Sequence, residues 1–148
     1  MSVPTATRAE RRIPLGIERH RAPRLLGAVL ALGVAYAHVR DQGGLPGEKG
    51  PSYVGLGYYA LEVAGLLVAV ALLVGVGRHT LKAWLLAAGV ALGPLLGFVL
   101  SRGPGLPNYS DDKGNWTEQL AMISLMAEAL LLVVAVVVLT RPRGATLR

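Results

Sequence analysis

The sequence predicts an all-α integral membrane bundle of four transmembrane helices arranged as two hairpins, and three observations carry that reading. Apolar residues fall into four blocks, 25–39, 53–77, 81–100 and 116–140, with almost no charge inside them. Charged residues make up 16% of the 148-residue chain, against about 25% in a soluble domain, while 53% are hydrophobic and the mean hydropathy is +0.49. Basic residues gather at the ends of alternate blocks, as loop charges do in multi-pass membrane proteins. A chain of this length suffices for one domain.

Residues 1–24 read as a basic cytoplasmic arm holding Arg8, Arg11, Arg12, Arg19, Arg21 and Arg24. Its apolar residues Ile13, Leu15 and Ile17 are too sparse to make an amphipathic helix. The first block, Leu25 to Val39, would span about 22 Å as a helix, less than the ~30 Å hydrocarbon core. It must borrow length from its flanks, with Arg24 and Arg40 reaching outward to headgroups. The basic segment with Arg11-Arg12, a short apolar stretch and Ala35-Tyr36-Ala37 also fits a cleavable signal peptide over residues 1–37.

The second block is interrupted only by Glu62. The third carries Lys82 near its start and Pro94 inside, where a proline should kink a helix. The fourth is interrupted by Glu118 near its start and by Glu128, and residues 141–148 form a second basic tail. Helices are the only open-chain solution in hydrocarbon, because every backbone polar group must be satisfied internally. The two tails and the short turn after the second block hold eleven basic residues, including Arg78, Lys82, Arg141, Arg143 and Arg148. The other two loops hold only Arg40, Lys49, Arg102 and Lys113. The positive-inside rule therefore puts both termini in the cytoplasm. Arg in excess of Lys, with abundant Ala, Gly, Val and Leu, suggests a bacterial inner membrane. The basic residues sit next to apolar spans and are read as contacts to anionic lipid, not to nucleic acid.

An internal similarity links the halves. Gly44-Leu45-Pro46 and Gly105-Leu106-Pro107 each follow a span, and each precedes acids, a Lys-Gly pair, an aromatic and a long block with a central glutamate. Two hairpins of the same orientation would produce this pattern, as would chance, since Gly-Leu-Pro is common in turns.

Glu62 and Glu128 are the main chemical candidates, because a carboxylate near the bilayer midplane costs about 2.5–3.5 kcal/mol on insertion scales. Gly55, Tyr58, Tyr59, Gly65 and Ala69 share the Glu62 face, and Thr117, Ala121, Ser124, Leu131 and Ala135 the Glu128 face. Small and polar residues of this kind mark helix–helix interfaces in membranes, so each glutamate should point into the bundle or towards another subunit. The two acids then form either a proton or cation site or hydrogen-bonding glue between helices. Gly89, Gly93 and Gly97 make a run that predicts close helix packing, inside the chain or against a partner. His38 is the one histidine near a span; bis-histidine haem ligation needs a second at similar depth, so no haem is expected. The loop around Asn108, Asp111, Asp112 and Asn115 reads as a solvated polar segment with Trp116 as an interface anchor, too poor in acids for a calcium loop. With no cysteine, no nucleophile elbow and no phosphate-cradling loop, neither an enzyme nor a metal or other cofactor is expected.

The stretch Ser101-Arg102-Gly103-Pro104-Gly105-Leu106-Pro107, then Asp111-Asp112-Lys113-Gly114-Asn115-Trp116-Thr117-Glu118 and Ser124-Leu125 with Glu128, resembles uncharacterised small four-span membrane proteins of actinobacteria. That resemblance implies a fold but no activity. The expected function is a non-catalytic accessory or structural subunit of a larger membrane complex, a respiratory one being a candidate host, with other membrane subunits or self-association completing its packing. The alternative is a small proton- or cation-coupled transporter working through Glu62 and Glu128.

Overall fold

A computed structural model describes residues 15–75 and 79–141, with the side chains of residues 15–20 and of His79 outside that description. Most of the expected basic arm (1–14), Arg78 and the tail 142–148 also lie outside the described residues. Four helices account for the fold: α1 (Leu15–Asp41), α2 (Ser52–Val74), α3 (His79–Arg102) and α4 (Gln119–Thr140). Each is long and apolar enough to cross a membrane, with spans at Arg21–Asp41, Ser52–Val74, Thr80–Arg102 and Gln119–Thr140. The helices pair as two hairpins, α1 with α2 and α3 with α4, and α1 also lies along α4. The seam between α2 and α3 is looser, and α2 and α4 do not pack on each other at all.

The element ends depart from the apolar blocks for identifiable reasons. Helix α1 begins at Leu15, not at Leu25, and continues through Pro23. The span gains its missing length from Arg21 to Arg24, about 6 Å at 1.5 Å per residue. Arg24 bonds to α2. Its Nε donates to the Leu72 carbonyl at 2.7 Å and its Nη2 to the Leu73 carbonyl at 3.0 Å, so it satisfies the carbonyls that α2 leaves free at its C-terminus. Helix α2 stops at Val74 because Gly75 adopts φ +28° and folds its N–H back onto the Ala71 carbonyl. Helix α4 starts at Gln119, three residues after Trp116, because Glu118 is extended (ψ 125°) while its carbonyl accepts from Met122 N–H.

The core is built mainly from small residues: Ala28, Ala31 and Val34 of α1, Val68 and Leu72 of α2, Trp84, Ala87 and Ala91 of α3, and Leu131 and Ala135 of α4. Lipid gives apolar side chains no hydrophobic reason to leave it, so close van der Waals approach holds such helices together. Gly65 supplies one such contact between α1 and α2. A Cβ there would lie 3.0 Å from the Ala31 carbonyl oxygen. Gly27 plays the same part against Trp84, at 2.7 Å.

The Gly89, Gly93 and Gly97 run does not. Apart from the neighbouring backbone of α3 itself, no heavy atom among the described residues comes within 4 Å of a Cβ built at any of the three. The small-residue rule needs a facing backbone, and α3 has none along this side because α2 and α4 stay apart. Within the chain, these glycines face open space.

Candidate functional site

The open space is a cavity of about 510 Å³ between α2 and α4, walled by α3. It is built from three layers.

The outer layer is a roof of paired charges. Loops 42–51 and 103–118 meet at the same end of the bundle. Lys49 Nζ lies 2.9 Å from Asp41 Oδ1 and 3.8 Å from Asp112 Oδ1, joining the end of α1 to the far loop. Arg102, only 7% exposed at the end of α3, sits 3.4 Å from Asp112 Oδ2 and 2.7 Å from Glu118 Oε2. Its Nε donates to the Asn115 carbonyl and its guanidinium carbon lies 4.4 Å from the centre of the Phe98 ring. Tyr58 donates to Asp41 Oδ2, Tyr109 donates to Asp112 Oδ2 at 3.0 Å, and Tyr53 donates to the Pro107 carbonyl at 2.6 Å. Gly50, at φ +59°, lets loop 42–51 lie directly on the Tyr109 ring; a Cβ there would fall 2.7 Å from Cδ2. Burial, and next the hydrogen bond to Asp112, push the Tyr109 hydroxyl above the ordinary tyrosine range.

The loop read as a solvated polar segment is therefore partly buried in this roof: Asp112 is half-buried and paired. Its neighbour Asp111 stays exposed. Trp116 is exposed as expected of an interface anchor, and its ring meets Phe98 edge-on at 5.8 Å.

The middle layer contains His38. Its Nδ1 lies 2.9 Å from the Val34 carbonyl. A carbonyl can only accept, so Nδ1 carries a proton, and in the neutral ring Nε2 is then the acceptor. The ring also meets Tyr58 edge-on at 5.0 Å. Among the described residues no group of three or more His, Asp or Glu is arranged to hold a metal ion.

The inner layer holds Glu128. It is 2% exposed, its Oε1 accepts from Ser124 Oγ at 2.6 Å, and both residues line the cavity. Ser124, Glu128, Leu131 and Ala135 are the buried face of α4, the stripe that its spacing predicts. Glu62 lies elsewhere. It is 9% exposed and accepts from Gln42 Nε2 at 2.8 Å, on the α1 side of α2, and it does not line the cavity. Gln42 Oε1 is left as a buried acceptor with no donor among the described residues, a deficit of about 1–3 kcal/mol.

Glu62 and Glu128, read from the sequence either as a proton or cation site or as hydrogen-bonding glue, are thus held by different partners on helices that do not pack on each other. The reason is rotational: Glu62 turns towards α1 with Gly65, while Glu128 turns towards the gap. Sequence reading also missed Asp41, Lys49, Arg102, Tyr58 and Tyr109. The available signal was three acids and two cations placed just beyond helix ends at one face, which the charge count alone assigned to solvent.

Fold and cavity together define a class: a four-span helical membrane protein with a ligand-sized internal space beneath an ion-paired roof. Set against protein-family models, curated proteins and solved structures, this chain gives no match.

Proposed function

We propose that the chain is a non-catalytic accessory subunit of a larger membrane assembly, whose working part is the cavity, holding a small molecule drawn from the bilayer. The cavity is the observation that carries this reading. A space of this size open to the bilayer needs an occupant, because its walls otherwise forfeit their packing contacts. Here three glycines of α3 keep it open, and its volume of about 510 Å³ falls in the range of about 300–1,000 Å³ typical of small-molecule sites. The polar groups above it are tied to one another instead of aimed at a reacting centre, which supports binding over catalysis.

Extraction of native membranes in mild detergent, followed by native mass spectrometry, tests both halves of the reading. The expected result is co-elution with larger membrane subunits and an additional mass of lipid size on this chain. A chain that elutes alone and carries no adduct refutes it.

One observation favours a second reading, a proton- or cation-coupled transporter: Glu128 stands in the cavity wall, almost wholly out of water. That reading now rests on Glu128 alone. It requires Glu128→Gln to abolish proton-driven uptake in vesicles, with Glu62→Gln leaving uptake near its original level.

A further inference from the structure

We infer that the cavity takes one elongated, uncharged amphipathic molecule, with a hydroxyl head donating to His38 Nε2 under the roof and an apolar tail along the glycine run of α3. This rests on the reading of the cavity as an occupied site and adds the chemistry of its occupant.

The lining of α3 runs from Leu86 to Arg102, about 24 Å at 1.5 Å per residue, so a cavity of about 510 Å³ is long and narrow. A single narrow chain fits. The route in is lateral: Gly57 on α2 and Leu86, Gly89 and Gly93 on α3 line the cavity yet are exposed at the loose α2–α3 seam. In a bilayer that seam faces acyl chains, not water.

The head is identified by what the roof leaves free. Asp41 receives Lys49 on one oxygen and Tyr58 on the other. Asp112 receives Lys49, Arg102 and Tyr109, and Arg102 is spread over Ser101, Asp112, Glu118 and Asn115. An ammonium head therefore finds no free carboxylate in the roof, and Glu128, the other carboxyl of the lining, lies deeper and already accepts from Ser124. The roof's three carboxylates (Asp41, Asp112, Glu118) also exceed its two cations (Lys49, Arg102), so an anionic head meets repulsion instead of a vacant positive charge. His38 Nε2, with no hydrogen-bond partner among the described residues, remains as an acceptor for a neutral donor.

Three probes with the same tail separate the possibilities: oleyl alcohol, oleate and oleylamine, each titrated against the full chain in detergent micelles and read by native mass spectrometry. One adduct of oleyl alcohol is expected, at least tenfold tighter than the other two. His38→Phe should weaken the alcohol by about fivefold to tenfold, the scale of one hydrogen bond, and His38→Gln, which keeps an acceptor, should restore most of it. Gly93→Leu should narrow the cavity along α3 and weaken binding of every probe at least tenfold, with the folded state retained because no other helix lies within 4 Å of the new Cβ.

Equal binding of all three probes, or a preference for oleate or oleylamine, overturns the head assignment; weakening of that binding in Gly93→Leu would then leave the occupied-cavity reading standing. No adduct with any probe, or adducts that persist undiminished in Gly93→Leu, defeats the cavity reading and this inference with it.

Discussion

Arg102 shows how much one side chain can organise at a membrane boundary. It is nearly buried, yet its fork reaches two carboxylates, a carbonyl and a hydroxyl while its face covers Phe98. A planar, five-donor group can do this; a single ammonium cannot. Removing one partner of such a buried set leaves charge uncompensated, typically at about 3–5 kcal/mol. Arg102→Ala is expected to lower the unfolding free energy by that order, measured by denaturation in mixed micelles. Arg102→Lys should recover less than half of the loss. A wild-type-like Arg102→Ala would mean that the roof contributes nothing to stability. Tyr109 adds a direction in pH. Its hydroxyl is held in the protonated form, so its contribution is complete below the ordinary tyrosine value of about 10 and is lost as pH rises beyond it.

At the scale of the element, the two kinds of glycine in this chain behave oppositely. Gly65 in α2 touches the α1 backbone, whereas Gly93 in α3 touches no other helix. Overpacking a close-packed site costs about 1–3 kcal/mol. Gly65→Val is therefore expected to lower the melting temperature and the yield of folded protein, while Gly93→Leu leaves the melting temperature unchanged or raises it, since leucine is the better helix former by close to 1 kcal/mol. The same melting assay, run on both variants side by side, checks the contrast. Spacing on one helix announces that a small face exists. Whether another helix lies against it depends on the rotation of every helix in the bundle, which spacing does not contain. For the same reason the Glu128 stripe was legible as a buried face of α4, but its separation from Glu62 was not.

At the scale of the whole molecule, the two hairpins join at one end through Lys49, Asp112 and the Tyr53–Pro107 hydrogen bond, while at the other end Arg24 on the carbonyls of α2 closes the first hairpin on itself. The charge asymmetry predicts which end faces which compartment. Because the chain has no cysteine, single-cysteine variants give a clean readout. Glu48→Cys and Lys113→Cys should react with a membrane-impermeant maleimide on intact cells, and Thr146→Cys only after permeabilisation. Labelling of Thr146→Cys on intact cells, with Glu48→Cys and Lys113→Cys reacting only after permeabilisation, would reverse the assignment of the termini.

Sequence alone determined the class and the number of spans, and it predicts the polarity of their ends, because these follow from additive, local quantities: apolar length against bilayer thickness, and charge on successive loops. Only the tertiary structure decided that the glycine run lines a cavity, that the two glutamates part company and that five loop and helix-end residues form one roof. Those outcomes depend on which helices touch and at what rotation. That is a balance of close van der Waals contacts across the bundle, with terms spread over residues far apart in the chain.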